Sequence, residues 1–235
     1  MHGKVTWKIS TGCNCVDSNL GGGISNGSLV LVYGEAETGK STLAMQCAVN
    51  CATQNLKVLY VDCDGTLSAK RLAQLAAGKF DEIAELIILV KPKDFREQTT
   101  FVDQLSEYIV KDLGLVIFDT ITTLYRVRVA ESSYKTFGIN RELNRQMAII
   151  AQTAKIKKIP ILVTSQVRSV FNEIDHAVEP VGTRVLKFWA DTIIEMKPME
   201  NPQEIKAVLE KFQQEGEVTC QLRIGASGIH DYSYR

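Results

Sequence analysis

Along the chain, short apolar runs alternate with stretches in which apolar residues recur at helical spacing. The runs at 29–33 (LVLVY), 57–62 (KVLYVD), 86–90 (LIILV), 115–118 (LVIF) and 161–165 (ILVTS) have strand length and little polar interruption. That pattern suits strands buried on both faces. A helix is expected over 40–53, after a glycine-rich loop. Ser68 suits the N-cap of a helix beginning AKRLAQLAA, with Gly78 as its stop. Pro92 ends the third strand and Asp94 caps a further helix, whose inner side is marked by Phe95, Val102, Leu105 and Ile109. The longest helix is expected over 139–158, with Ile139, Leu143, Met147, Ile150 and Ala154 facing inward and Pro160 closing it.

This alternation implies βαβ units and an α/β fold with a mostly parallel central sheet flanked by helices on both faces. The tail changes period. Ile205, Ala207 and Leu209 alternate with polar neighbours, as do Val218, Cys220, Leu222 and Ile224, so antiparallel C-terminal strands are expected along one sheet edge. No linker, repeat or low-complexity tract divides the 235 residues, and a single domain over 1–235 is the expectation.

Composition narrows the function classes. A net charge of zero and a pI of about 6.8 give bulk electrostatics no part in nucleic-acid binding, so any such surface is local. No apolar run approaches the roughly 18 residues of a membrane span, and the opening MHGKVTWKIS lacks a signal-peptide core. The chain therefore reads as cytoplasmic. Six cysteines raise the question of zinc. The C-x-C of Cys13 and Cys15 and the i, i+4 pair Cys47 and Cys51 both lack the C-x₂-C spacing of structural zinc sites. Reduced, unliganded thiols are expected.

The strongest chemical signal is GEAETGKST, residues 34–42, which satisfies G-x-x-x-x-G-K-[ST] between a strand and a helix. Gly34 and Gly39 allow backbone angles that let successive N–H groups turn toward phosphate oxygens. Glu35, Ala36, Glu37 and Thr38 lend the N–H groups between them, and the following helix points its positive end at the same place. Lys40 would neutralise phosphate charge and Ser41 would offer a hydroxyl to Mg²⁺. ATP with Mg²⁺ is the expected cofactor pair. A second carboxylate is needed at a neighbouring strand end, and Asp119 in LVIFDT supplies it, holding the metal through water. For a base or water polariser the candidates are Asp62 and Asp64, ending KVLYVDCDG, and Gln166, ending ILVTSQ.

These motifs, in this order, resemble the ATPase core of the RecA/RadA recombinases, and most closely its short archaeal RadB branch. The resemblance runs from ISTGCNCVDSNLGGGISNGSLVLVYGEAETGKSTLAMQ through VLYVDCDGTLSAKRL, LVIFDT and ILVTSQV to EPVGTRVLKFWADTIIEM. It implies a P-loop NTPase of RecA type. Lys40, Ser41 and Thr42 would bind phosphate and metal, and Asp119 would organise the metal. Gln166 would link the γ-phosphate to a following DNA-binding loop, and Arg71 would pack on the adenine. It also implies a role in homologous recombination, with a RadA-type recombinase or single-stranded DNA as partner.

Departures from the family pattern shape the expectation. Asp64 stands where the family carries a glutamate, so slow ATP hydrolysis is expected. There is no room for an N-terminal helix–hairpin–helix domain, and no clear self-polymerisation motif, although an oligomer stays open. Gly182-Thr183 replaces the Gly-Gly after the second loop. DNA-contact candidates are Arg126 and Arg128 near the first loop, Arg168 and Phe171 in the second, and Arg184 just after it; Glu173, Asp175 and Glu179 oppose them. Two alternatives stay open: a KaiC-like signalling ATPase with a similar opening, and a nucleotide-binding interaction protein with negligible hydrolysis.

Overall fold

The computed structural model describes residues 8–132, 135–169, 178–180, 182–212 and 216–232. The chain opens with β1 (Lys8–Ile9), α1 (Asn14–Asn19) and β2 (Ile24–Ser25). It continues through β3 (Leu29–Gly34), α2 (Lys40–Ala52), β4 (Lys57–Asp62), α3 (Ala69–Leu75), α4 (Phe80–Ala84) and β5 (Ile87–Val90). Next come α5 (Phe95–Asp103), α6 (Leu105–Tyr108), β6 (Leu113–Asp119), α7 (Thr123–Glu131) and α8 (Thr136–Lys157). β7 (Ile161–Ser169), β8 (Val178–Pro180) and α9 (Thr183–Trp189) precede β9 (Thr192–Pro198), β10 (Glu204–Lys211), β11 (Val218–Gly225) and β12 (Gly228–Asp231).

A 10-stranded sheet runs in the order β12-β11-β10-β9-β3-β7-β6-β4-β5, with β8 paired to β7 off that path. From β9 to β5 the neighbours are parallel, and from β9 to β12 they are antiparallel. The apolar runs are continuous because both faces are buried. Leu29, Leu31 and Tyr33 of β3 enter one core, and Val30 and Val32 the other. Leu115 and Ile117 of β6 divide from Val116 and Phe118 in the same way. Among the described residues no helix is long and apolar enough to cross a membrane.

The third apolar run lies differently from its neighbours. It forms the sheet edge, and Ile88 and Leu89 are 42% and 41% exposed. The helix expected from Asp94 breaks at Gln104 (φ −96°, ψ 3°) into α5 and α6. The long helix starts three residues earlier than expected and stops at Lys158, which is left-handed at φ 55°. Among the elements that go beyond the hydrophobic pattern are α7, with Leu124 and Tyr125 as its buried residues, and β9, which joins the parallel part beside β3.

The expectation of reduced cysteines needs correction at one pair. Cys15 and Cys220 form a disulfide with Cα atoms 5.8 Å apart. The Asp231 carboxylate accepts from the backbone N–H groups of Asn14 (2.7 Å) and Cys15 (2.8 Å), which draws α1 onto the β11–β12 hairpin. The 205-residue separation hides the pairing from sequence spacing. Cys13, Cys47, Cys51 and Cys63 are free and buried.

Strand register sets up the site. Gly34 pairs with Gln166 on one side and Met196 on the other, and Asp62 pairs with Asp119. The carboxyl ends of β3, β4, β6 and β7 thus share one edge, where ligands of open α/β sheets bind.

Candidate functional site

β3 delivers the chain to Gly34, where a Cβ would lie 2.1 Å from the Met196 carbonyl oxygen. The loop closes at Gly39, the N-cap of α2, with φ 85° and ψ 12°, so no other residue type fits that backbone without strain. Between them Glu35, Ala36 and Glu37 are exposed, and Thr38 is buried with its hydroxyl bonded to the Glu35 carbonyl at 2.9 Å. Lys40, 7% exposed, folds its ammonium back onto the Glu35 carbonyl and lies 3.4 Å from Thr38 Oγ1. Burial lowers its pKa to about 8, against the opposing pull of Asp119, Asp64 and Glu35. No side chain caps the first turn of α2, leaving its N–H groups to an incoming anion. Thr42 is half-buried in that turn.

Ser41 joins the loop to the end of β6: its hydroxyl lies 3.1 Å from Asp119 Oδ1. Thr164 donates to the same oxygen at 2.5 Å and Tyr60 to Oδ2 at 2.7 Å. Asp119 is 1% exposed. Burial raises its pKa, and the hydrogen bonds from Thr164, Tyr60 and Ser41 pull it back. Burial and the neighbouring Asp119 carboxylate push the Tyr60 phenol well up, so it is a fixed donor. The peptide bond after Asp119 is cis.

The two aspartates after β4 part company. Asp62 accepts from the backbone N–H groups of Thr66 and Leu67, both at 3.1 Å, and pairs with Lys91 at 3.5 Å. It shapes its own loop. Asp64 accepts from the Thr120 hydroxyl at 2.8 Å, and Thr120 is 2.6 Å from Thr123 Oγ1. Its carboxylate is thereby turned toward the same sheet edge as Asp119.

Gln166, at the end of β7, accepts a hydrogen bond from the Arg126 guanidinium on α7. Arg128, on the same helix, pairs with Glu131 at 3.4 Å. Arg71 donates to the Ala226 carbonyl at 2.7 Å and the Gly225 carbonyl at 2.9 Å, and so grips the β11–β12 turn. That turn lies by the loop: a Cβ on Gly39 would meet Ile224 at 2.9 Å and Ile229 at 3.1 Å. Arg184 is exposed on α9. Arg168 belongs to the β7 backbone, its side chain outside the described residues, and Phe171 lies outside them altogether. Lys40, Ser41, Asp64, Asp119 and Gln166 therefore come together, while Arg128 and Arg184 stand on the helices beyond.

Four functional positions carry no motif signal of their own. Tyr60 and Thr164 hold Asp119, Thr120 holds Asp64, and Thr123 holds the Thr120 hydroxyl. Their sole trace in the sequence is a hydroxyl within or just after an apolar strand. Gln46 is a further one: fully bonded, it ties α2 to Thr11 O (2.8 Å), Ile229 O (2.9 Å) and Ile229 N (2.7 Å).

The residues fit a magnesium nucleotide. A glycine crowded by a carbonyl, a left-handed glycine opening an uncapped helix, a buried ammonium, and a serine hydroxyl against a buried carboxylate match what a triphosphate and its metal require. Comparison with known proteins gives the same direction. A family model described as Rad51 matches residues 3–232. The DNA repair and recombination protein RadB of Thermococcus kodakarensis is 34% identical over 228 residues, 95% of this chain and 99% of its own length. RadB of Methanosphaera stadtmanae is 32% identical over 200 residues, 84% of each. A solved structure described as the crystal structure of the RadB recombinase is similar with a TM-score of 0.80 and 33% identity, covering 96% of this chain and 100% of its own.

Proposed function

Because the chain belongs to the Rad51 family, with RadB proteins as its relatives, we propose that it is an ATP-responsive accessory factor of DNA repair and recombination. The observation that carries the nucleotide part is the 3.1 Å contact between Ser41 and Asp119, which closes the phosphate loop against the strand-end carboxylate. Gly34 to Gly39 and the first turn of α2 would hold the phosphates, with Lys40 as counter-charge and Thr42 beside it. Ser41, and Asp119 through water, would hold Mg²⁺. The metal, when bound, neutralises phosphate charge. Arg71, fixed on the β11–β12 turn, would flank the base.

Asp64 takes the role of the group that orients water, at a side-chain length one methylene short of glutamate. Misplacement of a base by that amount costs orders of magnitude in rate, so nucleotide state, rather than rapid turnover, is the useful output. ATP would bias the segment after Gln166 and with it affinity for single-stranded DNA or a RadA-type recombinase. DNA contact would come from Arg168, Phe171 and Arg184, with Arg126 and Arg128 less available because each already has a partner.

The test is single-stranded DNA binding by fluorescence anisotropy with ATP, ADP and no nucleotide, beside Lys40→Ala. ATP-dependent binding lost in Lys40→Ala supports the reading. Binding indifferent to nucleotide, or none in any state, overturns the DNA arm. Capture of a purified RadA-type recombinase under the same three conditions then decides whether that partner takes its place.

A further inference from the structure

We propose that Arg126 is a positioning residue that sets which end of the Gln166 amide faces the nucleotide, and so gives the site its preference for a γ-phosphate. This rests on the nucleotide reading above. An arginine has donors and no acceptor, so the bond from Arg126 fixes Oε1 as the end of Gln166 that it holds. The Gln166 Nε2 makes no hydrogen bond among the described residues. Gln166 is in register with Gly34, the first residue of the phosphate loop. The end of the amide left to meet a phosphate is thereby the Nε2 donor; a flipped amide would present its oxygen to an anion instead.

The fold delivers the arginine for this purpose by a short route. Ile121 N–H donates to the Thr164 carbonyl at 3.1 Å, and Thr122 and Ser165 hydroxyls lie 3.1 Å apart. These bonds lace the start of α7 to the end of β7. The Arg126 N–H donates to the Thr122 carbonyl at 3.0 Å in the first turn, so the guanidinium leaves the helix next to Gln166. Arg128, two residues on, turns away to Glu131. The pairing also explains how a change at the γ-phosphate would reach α7. Once Gln166 turns, the hold on Arg126 is released.

The experiment compares ADP with a non-hydrolysable β,γ-imido ATP analogue, each with Mg²⁺, by calorimetry on the full chain. Variants are Arg126→Ala, Arg126→Lys, Gln166→Ala and the double Arg126→Ala/Gln166→Ala. The proposal expects Arg126→Ala to weaken the analogue about tenfold, the scale of one charge-assisted contact, with ADP affinity held within twofold. Arg126→Lys recovers part of the loss. In the Gln166→Ala background, Arg126→Ala has no further effect. Equal weakening of ADP and analogue, or additive effects of the two substitutions, would overturn the proposal. If the unaltered chain bound neither nucleotide, the nucleotide reading itself would fall, and this one with it.

Discussion

Thr120, the residue that follows Asp119 at the end of β6, donates its hydroxyl to Asp64 at 2.8 Å. The bond spends one lone pair of the carboxylate and keeps it near Lys40 and Asp119, whose charges it feels. Of the two aspartates in KVLYVDCDG, only this one is left with a carboxylate not committed to backbone.

Asp64→Ala should therefore reduce ATP turnover by about a hundredfold, the scale of a lost general base, while nucleotide affinity stays within a few fold. Phosphate release in steady state, read beside calorimetric binding, checks it. The unaltered chain should turn over below roughly 1 s⁻¹. Turnover unmoved by the substitution would remove Asp64 from the chemistry.

Lys40 gives a pH signature. Burial lowers its folded pKa to about 8 from an ordinary 10.5, so the free protein carries a buried charge it would prefer to lose. That penalty is complete below about pH 8 and fades as pH rises toward 10.5, where the unfolded lysine also loses its proton. Lys40→Met should stabilise the nucleotide-free protein by about 2 kcal/mol at pH 7, with the gain shrinking above pH 8. Urea unfolding at pH 7 and at pH 10 measures both. A destabilised Lys40→Met protein at pH 7 would contradict the pKa assignment.

The Cys15–Cys220 bond closes a loop of 205 residues, and long closures restrict the unfolded chain most. Reduction should lower stability by on the order of 3–5 kcal/mol, a fall of about 10 °C in Tm for a chain of this size. Cys220→Ser should unfold at that lower temperature with or without dithiothreitol. A Tm of the parent chain indifferent to reductant would show that the bond contributes nothing to stability.

Legibility in the sequence followed locality. The phosphate loop, Asp119 and Gln166 could be read because each ends an apolar run on the edge where ligands bind, and the run itself marks the strand. Asp62 and Asp64 were indistinguishable at that level. Their separation depends on the turn through Thr66 and Leu67 and on Lys91, one strand away. Tyr60 and Thr164 read as core residues of strands, and they are; their hydroxyls gain a purpose only when β4, β6 and β7 lie side by side. Arg126 read as a loop cation for DNA, because the weak amphipathic pattern of TLYRVRVAE conceals helix α7. The disulfide depends on the fold bringing the two ends of the chain together, which no local pattern records.

The most direct test of the account is calorimetric binding of ATP with and without Mg²⁺ to the unaltered chain and to Lys40→Ala. The account predicts saturable, magnesium-strengthened binding at a single site, weakened about a hundredfold, or about 2.7 kcal/mol, by the substitution. ATP binding of equal strength in Lys40→Ala, or no binding at all by the unaltered chain, would contradict it.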